Sequence, residues 1–277
     1  MDGSDLRDSL AARFADPPDV PDDLPGADIL ARLAGHASCR AFRPDPVPDA
    51  WLDVLCATAL SAPSKSDLQG RDIVVLRDPG RRARLAALVS GQAWVADAPM
   101  LAVFCGNNRR QRLLHEWQGV PFANDHLDAF FNAACDAAIA LGAFVAAARA
   151  MGLGCCPISA VRNEAAAVSD LLDLPDHVFP FAGLAIGFPA AASPISMRLP
   201  LSATVHADRY REDGLREAIA GYDAARRAVQ PYAVQRDVAR HGATPDYGWS
   251  DDKVRQYALP ERDGFGRYVR SIGFRLD

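Results

Sequence analysis

Residues 127–160 read LDAFFNAACDAAIALGAFVAAARAMGLGCCPISA. From Leu127 to Met151 small and apolar side chains run almost all the way round a helical wheel, which predicts one long helix that protein must cover on most sides. Gly152 and Gly154 let the chain leave that helix, and residues 155–158 then read as extended. The unbroken apolar run, residues 137–148, lies between Asp136 and Arg149 and is short of the roughly 20 residues a bilayer requires. A core or a subunit interface is therefore the expected place for the helix, and no membrane is expected as a partner.

Outward from this stretch, helical and extended patterns alternate without an internal repeat. Residues 29–33 fit a short helix, and Pro48 opens another in which Trp51, Leu52, Leu55, Cys56 and Ala59 share a buried face until Pro63 stops it. Residues 73–76, 100–105 and 178–188 read as buried strands, and Asp78-Pro79 caps a helix through Val89. Helical patterns resume from about residue 163, over 214–229 and over 250–270. The expected class is α+β, with a central mixed sheet flanked by helices.

Composition narrows the function. With 49% apolar and 23% charged residues the chain has material for a sizeable core, which excludes disordered and collagen-like readings. Thirty basic against thirty-five acidic side chains give a net charge of −5, the wrong sign for a protein that binds nucleic acid by neutralising phosphates. Residues 1–25 hold seven aspartates and four prolines and are expected to be a loosely ordered extension ahead of one domain, 26–277. The six cysteines include no C-x-x-C pair, and the N-terminus lacks a basic start followed by an apolar run, so a reducing cytoplasm is expected. No G-x-S-x-G elbow, phosphate-binding Walker loop or H-E-x-x-H pair is present, so hydrolytic and metal machinery is missing from the sequence.

Four polar clusters fall at predicted element ends. His36, Ser38 and Arg40 follow the first short helix, and arginine's planar fork suits a phosphate monoester, although a solvated surface loop is the plainer reading of this segment taken alone. Ser64, Lys65 and Ser66, with Leu68-Gln69, place one of the chain's two lysines between a helix and a strand, where an ordinary polar turn is the plainer alternative. Gly152 to Asn163 offers small residues against which a flat ligand could lie. Ser196-Met197-Arg198-Leu199-Pro200 carries an arginine in a loop after a strand.

Taken in order, these clusters resemble the FMN-dependent nitroreductase family, in its branch of NADPH-dependent nitroreductases and flavin reductases. His36 to Phe42 is similar to its first signature, Ala62-Pro63-Ser64 with Leu68-Gln69 to its second, and Gly91-Gln92 with Val95-Ala96 and Val103-Phe104-Cys105 to its third block. Gly152-Leu153-Gly154, Arg162-Asn163, Leu174-Pro175, Gly187, Arg198-Leu199-Pro200 and Trp249-Ser250 follow in the same order. The resemblance implies a homodimer with its long central helices at the interface and FMN in clefts between subunits. It also implies ping-pong transfer from NADPH, or NADH, through the FMN N5 to nitroaromatic, quinone or flavin acceptors, with no catalytic side chain required.

Carried over residue by residue, the resemblance gives His36, Ser38, Arg40 and Arg198 to the FMN phosphate and ribityl chain. Ser64, Lys65 and Ser66 go to the ribityl and pyrimidine edge, Gln92 to the ring's polar edge, and Pro157, Ile158, Ser159 and Ala160 to one ring face through their backbone. Arg236 and Arg240, in a segment poor in acids, are candidates for the NADPH 2′-phosphate, with a solvated helix face as the alternative. The pattern departs from the family at Ala37, Ser159-Ala160 and Ser196, and Asp67 adds a carboxylate near the cofactor loop. Two other readings stay open: a flavin reductase that supplies a partner monooxygenase, and a flavin-free scaffold that acts as a binding protein.

Overall fold

The computed structural model describes residues 3–89 and 91–277. In chain order the described residues form α1 (Gly3–Arg13), α2 (Ala27–Ala34), α3 (Asp49–Leu60), β1 (Arg71–Leu76), α4 (Pro79–Leu88), β2 (Met100–Asn107), α5 (Arg109–Gln118), α6 (Leu127–Ala150), β3 (Gly154–Ile158), α7 (Ala165–Leu171), β4 (Val178–Gly187), α8 (Leu215–Val229), α9 (Val238–His241), α10 (Trp249–Gln256) and α11 (Phe265–Ser271). The α+β class stands. Contacts divide the chain into two compact units, Met1–Ala37 with Pro194–Glu261, and Ser38–Ser193 with Arg262–Asp277, so they do not part at the expected 25/26 boundary.

The second unit is built on a sheet of order β1-β2-β4-β3. Its three pairings are all antiparallel, which corrects the expected mixed sheet: β2 and β3 share one heading, but β4 lies between them and runs against both. Alternation along β2 and β4 sorts their side chains between two helical layers. Leu101, Val103, Cys105 and Ala185 pack with Leu85 of α4 and Val168 of α7 on one face, and Ala102, Phe104, Leu184 and Ile186 with Leu52 of α3 and Phe144 of α6 on the other. Phe104 and Phe144 meet edge to face with ring centroids 5.6 Å apart. A third cluster around Phe179, Val269 and Phe274 seats α11 near the start of α6.

Helix α6 is long and apolar enough, by length and composition, to cross a membrane. Its packing makes it a core element instead, because Ala133, Ala137, Ala140, Phe144 and Ala148 are buried against the unit and its buried Asp136 is paired with Arg71. The opposite stripe, with Phe131, Ala138, Ile139 and Gly142, is exposed. Two details of the expected pattern change. Trp51 sits 38% exposed at the rim of α3 rather than in its buried face, its ring edge on Phe188. The helix expected over 250–270 is two, α10 and α11, broken around Pro260 and Gly264.

In the first unit, α1 packs on α2, and the N-terminal segment expected to be loosely ordered is helical over Gly3–Arg13. Leu6 is 3% exposed, and the buried Arg13 fastens the helix end by donating to the carbonyls of Ala34, His36 and Ser196. A mostly acidic composition hid these two anchors.

Candidate functional site

In the second unit, residues 38–43 lie along the sheet margin. The Cys39 N–H donates to Cys155 O (2.9 Å), the Ala190 N–H to Ala41 O (2.9 Å) and the Arg43 N–H to Phe188 O (2.8 Å). Alternation along this edge turns Cys39 inward, where a Cβ on Gly154 would lie 2.6 Å from its Sγ, so glycine is required at 154 for packing. Burial pushes the Cys39 thiol up in pKa, which makes it a packing group rather than a thiolate. Ser38 and Arg40 flank it at the buried Cys156 thiol, which burial raises while the Arg40 charge and the Ser38 hydrogen bond oppose. The Arg40 guanidinium is exposed and lies 5.8 Å from the Trp94 ring centre. Two residues earlier, Gln92 lines a cavity of about 790 Å³ together with Gly91 and Ala93.

The end of β3 and the 3-10 turn that follows it divide the four residues predicted to face a ligand ring. Pro157 and Ser159 are exposed, whereas Ile158 and Ala160 turn into the core at 2% and 6% exposure. Ile158 and Ala160 therefore have only backbone to offer.

The second cluster is organised from beneath by Asp136 of α6, which is 1% exposed. Its Oδ1 accepts from Lys65 N–H (2.9 Å), and its Oδ2 accepts from the Ser64 hydroxyl (2.9 Å) and from Gly70 N–H (2.8 Å). Arg71 pairs with it at 3.5 Å and donates through Nη2 to the carbonyls of Leu60 and Ala62. Ser64 also accepts from Gln69 N–H at 2.7 Å, so its single proton belongs to Asp136 and its oxygen to the loop. The Ser64 hydroxyl proton is thus committed within the chain. Lys65 and Ser66 point outward instead, with Lys65 Nζ donating to Ser66 Oγ at 3.0 Å, and they line a second cavity of about 340 Å³ with Asn108, Gln111 and Asn132. Gln92 and the Lys65–Ser66 pair thus border different cavities of the same chain. Asp67 is exposed.

In the first unit, Arg13 joins two predicted clusters that are about 160 residues apart in sequence. It donates to the carbonyls of His36 and Ser196, and its own carbonyl accepts from Arg198 N–H at 2.8 Å. Nothing in the reading of residues 1–25 signalled this role, since a lone arginine at a helix end looks like any solvated cation. The Arg198 guanidinium is exposed and touches only the carbonyls of Ser196 and Met197 among the described residues, at 3.1 and 3.2 Å. It lines a cavity of about 580 Å³ with Arg226, Tyr222, Tyr232 and Trp249.

Arg236 and Arg240 are each beside a carboxylate, Arg236 at 3.3 Å from Asp252 and Arg240 at 3.8 Å from Asp237. Asp252 is buried, and although burial raises its pKa, bonds from Lys253 and Tyr247 hold it below the usual range. Arg236 is therefore partly committed to the fold.

The chain belongs to the nitroreductase family. The family pattern matches residues 33–188, and that of the family's C-terminal domain matches residues 196–277. Among its relatives, an FMN reductase [NAD(P)H] of Bacillus subtilis is 35% identical over 201 residues, covering 71% of this chain and 80% of the relative. An FMN reductase (NADPH) of the same organism is 30% identical over 251 residues, covering 89% and 98%. The solved structure of B. megaterium NfrA2 superposes with a TM-score of 0.82 at 30% identity, covering 90% of this chain and 99% of the other.

Proposed function

We propose that this protein is an FMN-dependent NAD(P)H oxidoreductase that works by a ping-pong cycle on nitroaromatic, quinone or flavin acceptors. Bound FMN would supply the hydride chemistry between the nicotinamide and the acceptor. The chain's own residues bind and orient. The observation that carries this reading is that Arg40 and Arg198, both exposed and both inside family motifs, have no carboxylate partner among the described residues. Such guanidinium groups fit a phosphate monoester, each charge-assisted bond contributing about 1.5–3 kcal/mol. Ser38 would assist at the phosphate and ribityl chain, as would His36, which Arg13 holds through its carbonyl. Lys65 and Ser66 offer an ammonium and a hydroxyl to the ring's pyrimidine edge, and Gln92 an amide. Pro157 and Ser159 would face the ring, with the backbone of Ile158 and Ala160 behind them.

The separate cavities at Gln92 and at Lys65–Ser66 support a homodimer in which the two sets of residues come from different protomers. The exposed stripe of α6 with Phe131, Ile139 and Gly142, together with the exposed Val54 of α3, is the proposed interface. Of the two nicotinamide-phosphate candidates, Arg240 is the more available. Six free cysteines suit a cytoplasmic setting.

The test is the purified protein's visible spectrum together with NADPH oxidation. A flavin band at about 450 nm and turnover with a nitrofuran or a quinone are expected. A protein that stays colourless and inactive after incubation with FMN would instead be the flavin-free scaffold. The names of the two Bacillus relatives, both FMN reductases, favour free flavin as the acceptor, as a second reading, supply of reduced flavin to a partner monooxygenase, requires; rapid reduction of free FMN with negligible nitrofuran and quinone turnover would favour it.

A further inference from the structure

Asp136 has no direct part in the flavin contacts proposed above, yet it accepts at three points of the 64–70 loop, while Gln111 and Arg110 hold only the carbonyls of Leu68 and Gln69. Resting on that flavin reading, we infer that Asp136 is a positioning residue, which holds this loop in a strained form so that Lys65 and Ser66 present their polar groups to the flavin ring. The loop is unusual in its dihedral angles: Ser66, Asp67 and Gln69 have φ of 47°, 56° and 51°. A non-glycine residue in the left-handed region is strained and persists only where the surroundings over-determine it. Asp136 supplies that determination at both ends of the strained run, since one carboxylate accepts from Ser64, Lys65 and Gly70. Ser64 closes the circuit, donating to Asp136 while accepting from Gln69 N–H.

The packing leaves no slack. A Cβ on Gly70 would lie 3.2 Å from Asn107 O and 3.5 Å from Asp136 Oδ2, so the loop lies directly on α6. Arg71 provides the countercharge at 3.5 Å and fixes the carbonyls of Leu60 and Ala62 just before the loop. Three donors and a guanidinium converge on one group, and only an acceptor at both oxygens satisfies them all. Asparagine has nearly the same shape but places an NH₂ donor among those donors. Asp136→Asn therefore disturbs the loop without opening a cavity.

The experiment compares FMN titrations by fluorescence quenching, the midpoint potential of the bound flavin, and Tm in the wild type, D136N, K65A and the double variant. D136N is expected to raise the FMN dissociation constant roughly tenfold or more and to move the potential to more negative values, because the Lys65 ammonium no longer favours added electrons on the ring. On the D136N background, K65A should add little to either shift, as it must if Asp136 acts through Lys65. A purely structural role would lower Tm and leave the potential and this coupling untouched. A folded D136N with wild-type affinity and potential overturns the inference, as do additive effects of the two substitutions. If D136N does not fold, S64A removes one donor to Asp136 and the acceptor for Gln69; it is expected to show the same potential shift in smaller measure, and an unshifted potential overturns the inference there. A wild type that takes up no FMN would instead overturn the flavin reading itself.

Discussion

The chain's two lysines sit in contrasting surroundings. Lys253, on α10, has its ammonium 2.7 Å from the buried Asp252 and bonded to Gln256, so its charge serves the packing of its own unit. Lys65 is exposed on a strained loop and donates to the Ser66 hydroxyl rather than to a carboxylate. The same division separates Arg236, beside Asp252, from Arg40 and Arg198, which have no carboxylate partner among the described residues. A cation already neutralised inside the fold gains little from a ligand anion, whereas an exposed and unneutralised one gains a charge-assisted bond. The proposed binding region rests on availability rather than on the number of basic residues.

The strongest way to break this contrast is at Arg40 and Arg198. Arg40→Ala and Arg198→Ala are each expected to weaken FMN binding by about 10- to 100-fold, from the loss of one charge-assisted bond, as read by equilibrium titration. Next come the lysines. Lys65→Ala should weaken FMN binding and leave Tm almost unchanged, whereas Lys253→Ala should leave FMN affinity intact and cost about 1–2 kcal/mol of stability in denaturant melts, since Asp252 then keeps a poorer set of partners. If both lysine variants altered flavin affinity equally, the distinction between spent and available cations would fail.

Smaller effects sharpen the same division. Arg240→Ala should raise the KM for NADPH and leave that for NADH unchanged, while Arg236→Ala should act mainly on stability, by roughly 0.5–1 kcal/mol; steady-state kinetics with both donors separate them. The smallest effect concerns pH. Burial, and then the Arg112 charge, hold His177 below its usual 6.5, so the unfolded chain takes up this proton first. Stability is then complete above about 6.5 and is lost as pH falls through the folded value. The bond from Arg112 holds Asp125 low in the same region, which adds a loss in the same direction at more acidic pH. His177→Asn, which tolerates the φ of 63°, should flatten the mildly acidic part of a Tm-against-pH curve.

Much of the fold could be read from local pattern. The uniformly apolar wheel of α6 and the aliphatic runs of β2 and β4 are one-element signals, and they are where they were expected. Strand direction was not legible, because no residue of β1 or β3 encodes the heading of its neighbour. Helix α5 went unread, since RRQRLLHEWQ carries too few apolar positions to declare a face. The site clusters were visible as motifs, but their division of labour was not. Ser64 and Lys65 look alike in sequence as polar residues of one turn, and only Asp136, 71 residues further on from Lys65, turns one inward and leaves the other outside. Arg13 was missed for the same reason: its partners are the carbonyls of His36 and Ser196, which have no side-chain signature.

The central claim is that exposed guanidinium groups grip a phosphate. Parallel titrations of the wild type with FMN and with riboflavin, which differ only in that phosphate, test it most directly. The account predicts that FMN binds at least about 100-fold more tightly, as two charge-assisted contacts imply, and that the preference collapses in the Arg40→Ala, Arg198→Ala double variant. Equal affinity for the two flavins in the wild type would contradict it.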